Sequence, residues 1–283
     1  MVKKLFVLIF ILISLESVGL LPGQANNSEN AESFFLKCKS SLKEGNADKA
    51  IEFGEKAVEL NNKVAKYYQY LGNAYNMKLR KVPDFEKLMY ATKLRDSWEK
   101  ACQLDSKNVE VRIGLAHYYI IAPAFAGGNL EKAKVHATET LKLDPLNGHT
   151  LFTKIYLTEK DFASAEKSME TAFKRYLDFK KKHPSETSLF DENILNSYGY
   201  QLIKQEKIEK ALKYFKMNVK AFPGSYNVYD SMGELYLLKG NKELALDYYE
   251  KASKMNPKKS EWDIKNYNAE VEIIKKLKKE LDR

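Results

Sequence analysis

Residues 226–259 read YNVYDSMGELYLLKGNKELALDYYEKASKMNPKK. Within them Tyr229, Met232, Gly233, Tyr236, Gly240, Ala245, Tyr249, Ala252 and Pro257 hold the positions that a pair of antiparallel helices, A and B, needs. Gly233, Ala245 and Ala252 are the small residues, which let two helices cross at the usual ~8–10 Å. Tyr229, Met232, Tyr236 and Tyr249 are the large residues that fill the space between neighbouring pairs. Gly240 supplies the free φ that ends helix A, and Pro257 cannot continue helix B. The block before it, residues 192–225, repeats the frame in Leu195, Gly199, Ala211, Phe215 and Pro223. Two blocks in tandem define a 34-residue period, and that period predicts an all-α superhelical solenoid.

Tracing the period backwards gives weaker copies. Residues 31–64 hold Phe34, Cys38, Gly45, Ala50 and Ala57. Residues 65–108 hold Tyr68, Leu71, Gly72, Tyr75, Trp98 and Ala101, with extra residues near 78–93. Pro83-Asp84 reads as a fresh helix start, so the stretch to Leu104 is expected as one long helix B. Residues 109–147 hold Leu115, Ala116, Tyr119, Ala133 and Pro145, with an insertion near 120–128. Residues 148–173 hold Tyr156, Ala165, Met169 and Ala172. A basic linker, 174–191, then joins this array to the clean pair 192–259. In 260–283, Trp262, Ile264, Tyr267, Val271, Ile274, Leu277 and Leu281 recur at helical spacing, as in a capping helix that shields an open solenoid end.

With about six such blocks in register, the chain resembles the tetratricopeptide repeat (TPR) family. The resemblance implies a surface for holding other proteins, with ligand contacts on the concave wall made by the A helices. Carried over by frame position, the candidate peptide-binding residues are Gln69, Asn73, Asn76 and His117 in the second and third repeats. In the clean pair they are Asn193, Asn196, Tyr200 and Lys204, then Asn227, Asp230 and Glu234. Amide side chains suit this role because each offers both donor and acceptor to an extended backbone. The family's clamp for a C-terminal carboxylate is not reproduced, since Gln69 stands where a lysine is required and Glu110 opens the third repeat. The last two repeats also resemble TPR tails that follow serine-hydrolase domains in some bacterial enzymes.

The ends set the compartment. Lys3-Lys4 precedes the apolar run Leu5–Leu15, and Gly23-Gln24-Ala25 supplies small residues before a polar start. That is the pattern of a secretory signal over 1–25 with cleavage after Ala25, followed by a disordered leader over 26–30. An uncleaved anchor is the alternative; no other stretch is long enough to span a membrane. Export predicts a periplasmic or secreted protein. Cys38 and Cys102 are the only cysteines, and their places in the repeat frame favour packed thiols over a bridge. The net charge of +9 comes from lysines interspersed with glutamates, the pattern of solvated faces. With export, that argues against a nucleic-acid partner.

No chemistry-bearing constellation stands out. Ser40-Ser41-Leu42-Lys43 matches a serine-nucleophile tetrad in four letters only, without its partner motifs. His117, His136, His149 and His183 form no metal-ligand spacing. Gly127-Gly128 lacks the spacing and the Lys-Ser/Thr of a phosphate loop. The expectation is therefore a non-enzymatic scaffold or adaptor that needs no cofactor and binds a peptide or protein partner. The alternative is a regulatory or assembly subunit of an envelope enzyme such as a hydrolase.

Overall fold

The computed structural model describes residues 30–281. The signal read over 1–25 and the leader residues 26–29 lie outside the described residues. Asn30, counted above with the leader, is structural: its side chain accepts the Ser33 N–H at 2.9 Å and caps the first helix.

Six helical hairpins follow one another. They are α1 (Ala31–Lys43) with α2 (Ala47–Leu60), α3 (Ala65–Leu79) with α4 (Asp84–Leu104), and α5 (Val109–Ile121) with α6 (Leu130–Leu143). Then come α7 (Pro145–Glu159) with α8 (Phe162–Lys182), α9 (Glu192–Lys204) with α10 (Ile208–Ala221), and α11 (Tyr226–Leu238) with α12 (Lys242–Met255). A closing helix, α13 (Glu261–Glu280), packs on α12. This is a TPR-type solenoid with a C-terminal cap.

Local sequence explains the helix boundaries. Asn46, Asn108, Asn129, Asp144, Asp161, Asp191 and Asn241 each cap the following helix through a side-chain oxygen. Each such cap is worth ~1 kcal/mol. Ser260 and Asp263 form a reciprocal capping box that starts α13. Gly240 ends the sixth A helix at φ 75°, as its frame position implied. The equivalent turns after α7 and α9 force Lys160 and Glu206 into the same left-handed region, at φ 61° and 60°.

The core is a series of clusters strung along the solenoid, each built from small and large residues. Ala50, Ala57, Ala101, Ala133, Ala165, Ala211, Ala245 and Ala252 are wholly buried at helix crossings. Trp98, projecting from α4, is wedged between Gly72 of α3 and Gly114 of α5. A Cβ on either glycine would sit 2.3 Å or 2.8 Å from the indole. The indole N–H donates to Asn73 Oδ1 at 3.1 Å, so the ring is fixed in direction as well as place. Cys38 packs with Ala50 and Ala74, while Cys102 borders a second cluster; both are free thiols.

Two segments differ from their sequence expectation in a way that matters. The fourth B helix does not stop near 173; α8 continues to Lys182, so most of the basic stretch is helix. The end of the remainder, around Phe190, reaches the core, while 183–187 are exposed. Phe190 is buried between Tyr176 and Phe222, with ring centroids at 5.3 and 6.2 Å. The Leu189 N–H donates to Asn147 Oδ1 at 2.8 Å. Hydrophobic burial thus joins the first four hairpins to the clean pair. The long helix expected from Pro83-Asp84 is present as the uninterrupted α4.

Candidate functional site

The A helices are α1, α3, α5, α7, α9 and α11, with α1 packed against α3, α5 against α7 and α9 against α11. The candidate residues lie on these helices in three groups.

At the N-terminal end, Asn73 and Asn76 of α3 share a recess of about 440 Å³ with Lys39 and Lys43 of α1 and with Tyr70 and Arg80. No carboxylate lines it. The Lys39 ammonium lies 5.8 Å from the Tyr70 ring centroid, a cation–π distance. The helical frame sets this grouping: Lys39 and Asn73 occupy the same position of consecutive repeats. Gln69, one turn before Asn73, is already engaged. Its Nε2 donates to Glu110 at 2.6 Å and its Oε1 accepts from Asn108 at 2.8 Å. It ties the second repeat to the third.

In the middle, His117 of α5 is half-buried. Burial, and then the charge of Lys154 on α7, hold its imidazole below its ordinary range, against a weaker pull from Asp191. It is therefore neutral at physiological pH and offers one donor and one acceptor.

Toward the C-terminal end, Asn193 and Lys204 are exposed on α9. Asn196 is buried, and its Oδ1 has no hydrogen-bond partner. The Tyr200 hydroxyl donates to Glu234 at 2.7 Å across the α9–α11 step. Asn227 donates to Glu192 at 3.2 Å, a link between repeats like that of Gln69. Asp230 and Glu234 face a recess of about 280 Å³ that they share with Asn266 and Glu270 of the cap. Burial pushes the Asp230 carboxyl up to about 6, and Glu234 adds to it. Burial pushes Glu270 up to about 7, with Asp230 contributing.

The structure therefore brings Asn73 and Asn76 together, and links Tyr200, Glu234 and Asp230. It spends Gln69 and Asn227 on contacts between repeats. Lys39, Lys43, Arg80 and Glu270 escaped the sequence reading. Glu270 carried a signal: it interrupts the apolar row of the cap, three residues after Tyr267 and four before Ile274. Among the described residues, no group of three or more His, Cys, Asp or Glu side chains is placed to hold a metal ion. No described helix is long and apolar enough to cross a membrane.

The two insertions meet on another face. The first turn of α4 and the 3-10 turn Ala124–Ala126 enclose an apolar hollow that includes Leu79, Leu88, Ile121 and Phe125. Phe85 and Phe125, at 84% and 81% exposure, stand out beside it.

Comparison with known proteins places the architecture. No family model matches the chain. A tetratricopeptide repeat domain-containing protein of Arabidopsis thaliana, PYG7, chloroplastic, is 21% identical over 147 residues. That match covers 51% of this chain and 46% of PYG7, so the similarity spans less than half of that relative. Among solved structures, Pseudomonas aeruginosa PilF superposes with a TM-score of 0.50 at 14% identity, covering 85% of this chain and 97% of that one. A chain of the APC/C hetero-tetramer Cut9–Hcn1 gives 0.52 at 11% identity, covering 87% of this chain and 43% of that one. At these identities the likeness is one of fold.

Proposed function

We propose that this protein is an exported, non-enzymatic adaptor that holds an extended segment of a partner protein along its A-helix wall. The observation that carries the reading is the N-terminal recess. There two asparagine amides and three cationic side chains converge, and no carboxylate of the recess satisfies them. The Asn73 Oδ1 already accepts from Trp98, so its Nδ2 and the amide of Asn76 are the groups that suit a peptide backbone. Lys39, Lys43 and Arg80 favour acidic residues in the part of the ligand that lies beside them. A stacked solenoid is already ordered before binding, so little conformational entropy opposes association. Export rests on the Lys3-Lys4 and Leu5–Leu15 pattern.

The test is affinity capture from the envelope fraction of the source cell, with the chain from Asn26 as bait. The control bait carries Asn73→Ala, Asn196→Ala and Tyr200→Phe together. The expected result is a partner retained by the first bait and lost by the second, with helical content equal by circular dichroism. A partner held equally by both would exclude the wall as its binding surface.

A further inference from the structure

We propose that the recess between the last repeat and the cap receives an organic cation: the guanidinium or ammonium head of a basic side chain. Its occupant as a residue of the bound partner rests on the groove reading above; the site itself does not.

Three carboxylates face this recess, Asp230 and Glu234 from α11 and Glu270 from α13. Glu270 is the decisive one. It is 1% exposed, and neither of its carboxylate oxygens has a hydrogen-bond partner. Buried carboxylates are ordinarily paired or hydrogen-bonded, because an unpaired one forfeits its hydration without return. No lysine or arginine lines the recess. The cap's own ion pairs, Lys242–Glu280 and Lys278–Glu250, use other carboxylates. In the free protein the burden is relieved by a retained proton, in keeping with the raised Asp230 and Glu270 carboxyls. An incoming cation would replace that proton and supply the missing donors.

Size and lining select the kind of cation. The described carboxylates do not converge as metal ligands do. A recess of about 280 Å³ is many times the ~30 Å³ share of one water molecule. It can take a head group together with its methylene stem, and Tyr249 and Ile273 give that stem an apolar wall.

The experiment is a titration of isotope-labelled full-length protein, read by the amide resonances of Ala269 and Ile273. The probes are N-acetyl-arginine amide, N-acetyl-lysine amide, the neutral isostere N-acetyl-citrulline amide, and calcium chloride. The arginine or lysine probe is expected to give saturable shifts at both residues, with citrulline weaker by about tenfold or more, the loss of one buried charge pair. Glu270→Gln and Asp230→Asn are each expected to weaken the cation by a similar factor with helical content unchanged. If one variant fails to fold, the other decides. Equal binding of citrulline, unchanged binding in a folded variant, or shifts with calcium alone would overturn the proposal. An Asn73→Ala, Asn76→Ala variant, altered only on α3 and away from this recess, separates the two readings: it should keep the cation site even if partner capture shows no dependence on the wall.

Discussion

Gly148 tests the packing logic, because two effects of opposite sign meet there. The fourth A helix follows the third B helix with only Asp144 between them, and Pro145 already belongs to α7. So short a connection brings the first turn of α7 onto the last turn of α6. A Cβ on Gly148 would lie 2.3 Å from Leu141 Cα and 2.7 Å from Leu141 N. Carbon atoms rest at about 3.5–4.0 Å, so the two helices would have to part by roughly 1 Å or more. The obstacle is backbone, which no rotamer change removes. Overpacking of this kind costs about 1–3 kcal/mol. Alanine favours a helix interior over glycine by at most about 1 kcal/mol. The steric cost therefore wins, and Gly148→Ala should destabilise by about 1–2 kcal/mol. Gly224→Ala is the control, since it meets no atom within 4 Å and its φ lies outside the left-handed region. It should be neutral or stabilise by up to about 1 kcal/mol through the unfolded chain. Urea unfolding followed by circular dichroism reads both, with equal slopes required for comparison. A Gly148→Ala midpoint at or above wild type would refute the close α6–α7 approach.

Two further outcomes follow from buried titratable groups. Glu270 holds its proton up to about 7 when folded, against an ordinary carboxyl near 4.5 when unfolded. Below about 4.5 both states are protonated and it contributes nothing; as pH rises toward 7 the unfolded chain ionises first and stability falls. The loss should be on the order of 2–3 kcal/mol, complete above about pH 7, with Asp230 adding in the same window. Unfolding midpoints from pH 5 to 8 measure it; Glu270→Gln should flatten most of the slope, and an unflattened slope would mislocate the cause. Burial also pushes the Cys38 thiol up to about 12, and raises Cys102 less far. Timed alkylation of native protein should therefore label Cys102 first and Cys38 only on unfolding, and prompt labelling of Cys38 would contradict its burial.

The sequence by itself determined the hairpin repeat, because the information is local. Gly233 or Ala252 must be small where two helices cross, Gly240 must tolerate a left-handed turn, and Asn46 or Asn241 must cap a helix start a few residues away. Such constraints act within one or two turns and leave a visible period. The candidate wall is what the family resemblance implies; the period only places those frame positions on one helix face. What each wall residue does was decided only by neighbours far along the chain. Gln69 and Asn73 look alike in sequence. Yet Gln69 is consumed at both amide atoms by Asn108 and Glu110, whereas Asn73 gives only its Oδ1 to Trp98 and borders a recess with Lys39 and Asn76. Phe190 lay in a stretch read as linker, and becomes core only when Tyr176 and Phe222 close on it. Glu270 needed α13 to dock before its carboxylate lost water and met Asp230. Charge pairing and desolvation depend on distance in space rather than along the chain. The helical period therefore fixes the scaffold, and the stacking of repeats fixes which of its polar groups remain free to bind.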